Sequence, residues 1–150
     1  MKENLLTFTP SNVGKYQARY IRLDNFKING YPIINELQVL TTDNTNLSIL
    51  PNTVASASSY HLTTTQAFHA IDNDLDSLWH KNTSDSNPWF QLDMGSVVFF
   101  DKLKTYTVDA GAMYFFTGCD IKLGSSVESL VLVKQLTNRV YTDGWNIILD

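Results

Sequence analysis

Three carboxylates alternate along Asp72-Asn73-Asp74-Leu75-Asp76, and acids this close repel one another unless a cation, hydrogen bonds or solvent relieves them. Oxygen donors at this density are the ligands that calcium takes. A helical calcium loop fails the first test. Counted from Asp72, the sixth position is Ser77 where such a loop needs glycine, and the twelfth is Thr83 where a bidentate glutamate belongs. A solvated acidic turn accounts for the run equally well, so the residues alone leave both readings open. His69 and His80 flank the loop without the helical i, i+4 spacing that zinc sites often use. His80 reads as a polar partner beside a packed Trp79, and Trp79 and Trp89 both read as core aromatics.

The elements that must position this loop are strands. Apolar residues alternate with period two in short runs at 19–23, 36–40, 90–94, 97–100, 102–108, 119–123, 130–134 and 145–149, and no segment carries a helical stripe. Turn chemistry separates them: Asn29-Gly30, Gly124-Ser125-Ser126, Asp143-Gly144 and Ser84-Asp85-Ser86-Asn87-Pro88. Eight or so strands in 150 residues suggest one all-β domain of two packed antiparallel sheets, over 17–150, with 1–16 as an irregular lead-in. A net charge of −4, with 11 basic residues scattered along the chain, argues against nucleic acid as a partner. No run reaches the length of a transmembrane segment, and Cys119, the single cysteine, excludes an intrachain disulfide. The first ten residues hold too short an apolar run for a secretory signal. Action outside a cell is therefore expected only by lysis, by a non-classical route or as part of a virion or other particle.

Two stretches raise the reading above a β-sandwich. One runs from Asn52 to Tyr60 through Ala55-Ser56-Ala57-Ser58-Ser59, continues as Ala70-Ile71-Asp72 and Trp79-His80, and closes on Asn87-Pro88-Trp89-Phe90-Gln91-Leu92-Asp93-Met94-Gly95. In this order it resembles the discoidin family, the coagulation-factor type C domains, near its fucose-binding lectins and galactose-binding modules. The other stretch, Arg19-Tyr20-Ile21-Arg22-Leu23 followed by Ile34 to Leu40, is similar to the strand pair that usually closes that fold, shifted here to the N-terminal side.

The resemblance implies a galactose-binding-domain-like jelly roll that is a binding module and not an enzyme, with one structural calcium. Carried over by position, its ligands would be the Asn35 carbonyl, Glu36, the His69 carbonyl, Asp72, the Asp74 side chain or carbonyl, and Thr83. The imidazole and arginines with which sugar-binding members hold their ligand are missing: Tyr106 to Gly118 contains no arginine, and Lys81 is the only base between Trp79 and Pro88. Free fucose and galactose are therefore expected to bind weakly or not at all. Met113, Tyr114, Phe115 and Phe116, with His61 and Leu62 on a neighbouring loop, are the expected ligand or partner edge, because exposed apolar clusters tend to mark partner surfaces. The expected partner is a glycan or protein surface; the alternative is assembly with other subunits, as in a particle coat. No nucleophile and base form a local motif, so no catalysis is expected.

Overall fold

The computed structural model describes residues 13–27, 31–108, 118–137 and 143–150, together with the backbone of Tyr114–Phe115. Its first strand, β1 (Tyr16–Asp24), turns Ala18, Ile21 and Leu23 inward. The strands that follow are β2 (Tyr31–Ile34), β3 (Glu36–Leu40), β4 (Val54–Ala57), β5 (Trp79–His80), β6 (Phe90–Phe100) and β7 (Lys102–Thr107). The last four are β8 (Tyr114–Phe115), β9 (Asp120–Gly124), β10 (Val131–Gln135) and β11 (Gly144–Leu149).

These make a five-stranded sheet in the order β10-β9-β1-β6-β4 and a three-stranded sheet in the order β11-β7-β3, with every pairing antiparallel. A small third sheet, β5-β2-β8, pairs β2 and β8 in parallel. The protein is therefore an all-β sandwich, and the only helices among the described residues are short 3₁₀ turns at Thr63–Thr65, Ala67–Ala70 and Val127–Ser129. None is long and apolar enough to cross a membrane. The core joins residues of both large sheets, with Ile21, Phe90, Leu92, Phe100 and Ile121 from one and Leu37 and Leu103 from the other, around Trp79. Each such side chain is worth roughly 1.5–3 kcal/mol when fully buried.

The residues read as a shifted closing pair are integral to the sandwich. β1 lies at the centre of the large sheet between β6 and β9, and β3 pairs with β7. It starts at Tyr16, inside the expected lead-in, and the Tyr16 hydroxyl donates to the Asp150 carbonyl. The two strands expected at 90–94 and 97–100 are one, running unbroken through Gly95. Gly95 has φ +80°, and a Cβ there would stand 2.9 Å from the Asn52 carbonyl, so only glycine carries the strand past this point. Period-two reading also missed β2, β4, β5 and β8, each four residues or fewer, too short to show alternation.

One end of this sandwich gathers the loops. Leu23, Ala57 and Phe90 lie side by side across β1, β6 and β4, and Asp24 stands beside Asp120. The described residues that leave or enter the sheets here include 25–27, 58–62 and 81–89. Glu36 opens β3 opposite Tyr106, near the end of β7, which puts it at the same end.

Candidate functional site

Glu36 is fully buried although its register partner Tyr106 faces outward, because the 69–77 loop lies over the end of β3. Its Oε1 accepts from the Asn73 amide at 3.3 Å. Its Oε2 has no hydrogen-bond partner among the described residues, and neither does Oδ1 of the neighbouring Asn35. Burial, with Asp72 and Asp74 close by, pushes the Glu36 carboxyl up to about 8, against the opposing pull of the Asn73 amide. The Asn35 amide donates to the Leu75 carbonyl, which ties the start of β3 to the loop.

Within the loop the oxygens converge on one point. Ser77 Oγ lies 2.8 and 2.7 Å from the two Asp72 carboxylate oxygens, 3.0 Å from the Asp74 carbonyl and 3.2 Å from the His69 carbonyl. A hydroxyl has one proton to give, so it serves only one of these four acceptors; Asp72 Oδ1 also accepts from the Asp74 amide and the Asp74 carbonyl from the Ser77 amide. Asn73 takes the left-handed conformation, φ +61°, that bends the loop. Asp74 Oδ1 is spent on the Asp76 amide, so it is the Asp74 carbonyl that turns inward. The His69 ring contributes an Nδ1 contact to Asp72 at 3.2 Å, beside its inward carbonyl.

Of the six residues expected here, five meet: Asn35, Glu36, His69, Asp72 and Asp74. The structure gives Thr83 no contact with them; its carbonyl lies 3.5 Å from the Lys81 ammonium, a poor neighbour for a second cation. The hydroxyl in the loop is that of Ser77. Among the described residues no three His, Cys, Asp or Glu side chains converge as metal ligands. A cation here would therefore rest on two carboxylates, Glu36 and Asp72, completed by carbonyls and a hydroxyl. That all-oxygen set, with unpartnered oxygens already in place, fits calcium rather than zinc.

The expected ligand edge is only partly in view. Met113 and Phe116 lie outside the described residues, and for Tyr114 and Phe115 the backbone alone is placed, in β8 beside Tyr31 and Pro32. His61 and Leu62 are exposed, Leu62 by 54%, and Tyr60 beside them is exposed as well. His61 belongs to the same corner as β8: its ring meets that of His80 at 4.9 Å, and His80 stacks on Tyr31. Buried His80 sits below its ordinary pKa, chiefly through loss of solvent and further through the adjacent His61 and Lys81. Lys81 is no surface base. It is buried with its ammonium donating to the Asn82 and Asp85 carbonyls, at 3.1 and 2.8 Å, and so shapes the 81–85 loop from within. Asp85 fixes the same loop to the end of β4 by accepting from Ser58 and Ser59.

Beside this loop lies a groove of about 510 Å³ that sequence reading missed, lined by Arg22, Asp24, Asn25 and Lys122 on one wall and by Ser86 to Trp89 on the other. Trp89, expected in the core, is half-buried and forms part of this wall. The Arg22 guanidinium lies 4.4 Å from its ring centroid, held there by Gln91 and Asp24. Lys122 donates to the same Asp24 oxygen at 2.9 Å. Asn25 donates to Asp120 Oδ2 at 3.2 Å. Oδ1 of Asp24 and Oδ1 of Asp120 are both buried with no hydrogen-bond partner among the described residues. Arg22 and Lys122 are thus balanced by Asp24 on the groove wall and Asp120 behind it.

The F5/8 type C domain model matches residues 54–145, from the first residue of β4 into β11. No curated protein and no solved structure matches the chain. The match spans the acidic loop, the Trp79-His80 strand and the Pro88-Trp89 wall of the groove, while β1 to β3 and Glu36 lie before it. With well over half of its length matched and the expected sandwich around it, the chain belongs to the F5/8 type C, or discoidin, family.

Proposed function

We propose that the protein is a non-catalytic binding module, clipped by one structural calcium, that recognises a glycan or protein surface through the loop-bearing end of the sandwich. Domains of this family are generally binding modules of that kind. Calcium would be held by Glu36 and Asp72 with the His69 and Asp74 carbonyls, and when bound it supplies charge and rigidity, joining the β3 end to the 69–77 loop. The observation that carries the binding role is the Arg22–Trp89 groove. Its volume lies within the usual range for ligand sites, and its guanidinium is fixed in place by stacking. Charge balance disfavours both simple anions and simple cations; hydroxyl or amide groups, which donate and accept, suit it best.

The test is a glycan array followed by titration of the responding oligosaccharides, with the Trp89 indole NMR signal as the reporter. Shifts at Trp89 that disappear in Arg22→Ala support the reading. An array without hits, together with no shift at Trp89, removes the glycan. A second reading, assembly with other subunits as in a particle coat, draws on the exposed Tyr60 and Leu62 at the same end. Mass measurement of the native particle decides for or against it.

A further inference from the structure

The outer face of the three-stranded sheet is a step. On the β3 side it is roofed: the 69–77 loop covers Glu36, and the segment after Leu40 turns back through the Leu40–Asn46 bridge, leaving Leu40 buried. On the β7–β11 side no described segment covers it. Strand alternation sends Lys102, Lys104 and Tyr106 outward while Leu103, Thr105 and Thr107 point to the core. The register sets Trp145 opposite Tyr106 and Ile147 opposite Lys104, so these four share the bare strip. Ile147 is 52% exposed and Trp145 37%, the latter packed edge-on to Tyr106 at 5.3 Å with the Lys104 ammonium 5.5 Å above its ring.

Charge follows the same step. The roof carries exposed acids, Asp74 and Asp76 on one loop and Asp43 on the other, while the bare strip carries Lys102 and Lys104 around its aromatic centre. A surface that is high and acidic on one half, low and basic on the other, is complementary to itself after a half-turn about an axis that lies in the interface, along the edge of the step. Each roof then descends onto the partner's bare strip, and each set of aspartates meets the partner's lysines. Such a contact is isologous and closes at two copies.

We propose that this face is the interface of a two-fold homodimer, centred on Trp145, Tyr106 and Ile147 and keyed by roof aspartates against strip lysines. The partner is a second copy of this chain because the complementarity is internal to the face. An unrelated acidic protein would meet the lysines but collide with the acidic roof. The interface lies on a different face from the ligand groove and does not depend on what the groove binds.

Sedimentation velocity of the full chain, from low micromolar to millimolar concentration, tests the proposal. A monomer–dimer equilibrium that weakens with added salt is expected, since salt screens exposed charge pairs. Trp145→Ser and Lys104→Glu should each weaken it roughly tenfold or more, as loss of an interface anchor or reversal of a rim charge does. The decisive arm mixes Lys104→Glu with Asp76→Lys. Each alone sets like charges face to face, whereas the mixed pair restores both contacts, so a heterodimer forms from two chains that do not self-associate. Thermal melts of the single variants confirm that they are folded. A monomer at every concentration, a dimer indifferent to these substitutions, or no rescue on mixing would overturn the proposal.

Discussion

Glu36 and Asp93 are two acids handled in opposite ways by the same sandwich. Asp93 has its own cation. The bulge in β1 between Ala18 and Tyr20 turns Arg19 onto it in a forked contact of 2.9 and 3.1 Å, and the Gly95 amide adds a third donor at 2.8 Å. Its carboxyl is accordingly held below the ordinary range, first by the Arg19 hydrogen bonds. Among the described residues Glu36 has one amide, two acidic neighbours and no ion-paired base, and its carboxyl is pushed up. A buried carboxylate without a partner costs stability unless it takes up a proton, which the raised pKa of Glu36 favours, or a cation, which is the role proposed for it above. The lesson lies in the deficit: the satisfied acid is explained by the fold alone, and the unsatisfied one is where a ligand would change stability most.

The largest effect that would sharpen this contrast is the removal of calcium. Binding to the native state alone contributes RT ln(1 + [L]/Kd), about 2.7 kcal/mol at a hundredfold excess over Kd. Chelation should therefore lower Tm by several degrees, and Asp72→Ala should abolish the response. A metal-loaded protein that melts at the same temperature with and without chelator would place Glu36 and Asp93 on the same footing.

Glu36→Gln comes next and separates charge from packing. In chelator the variant should melt no lower than the parent chain, since it loses a charge that burial disfavours, and added calcium should no longer raise its Tm. A clear loss of stability in chelator would mean that the Glu36 carboxylate is already paired. Ser77→Ala removes the hydroxyl at the convergence point and should lower stability by about 1 kcal/mol in chelator, the ordinary net worth of one hydrogen bond. Denaturant titration reads the difference.

The smallest effect is at Asp93. Because its folded-state pKa is depressed, its contribution is present above the ordinary carboxyl range and is lost as pH falls through that range and below. Arg19→Ala should flatten this part of the acid stability curve and leave the calcium response untouched. An unchanged acid limb would show that the Arg19 contact adds nothing to the fold.

Much of this was legible because it is local or periodic. The acidic run, the Trp79-His80 pair and the alternating strands lie within a few residues of one another, and Glu36 entered through the order of motifs. Ser77 was missed in favour of Thr83, although spacing held the signal: a hydroxyl five residues after Asp72 returns to it as the loop closes, whereas Thr83, eleven residues on, is carried away with the Lys81 loop. The groove was not legible. Arg22 meets Trp89 only because β1 pairs with β6 and Lys122 only because β9 lies on the other side, and no local pattern announces pairings between strands so far apart in the chain. Lys81 misled in the other direction, since a lysine in a polar loop reads as exposed, and only the carbonyls gathered around its ammonium show that it faces inward.

The central position of β1 also bears on how the protein is made. Its neighbours in the sheet are residues 90–100 and 120–124, so β1 leaves a ribosome long before either of its partners. Pairings of such long sequence separation are slow, and a strand waiting for them presents open edges to other chains. Arg19 and Arg22, which later hold Asp93 and Asp24, keep charge on that strand while it waits. During synthesis they would act as gatekeepers against aggregation, Arg19 before the Asp93 it later holds has been made.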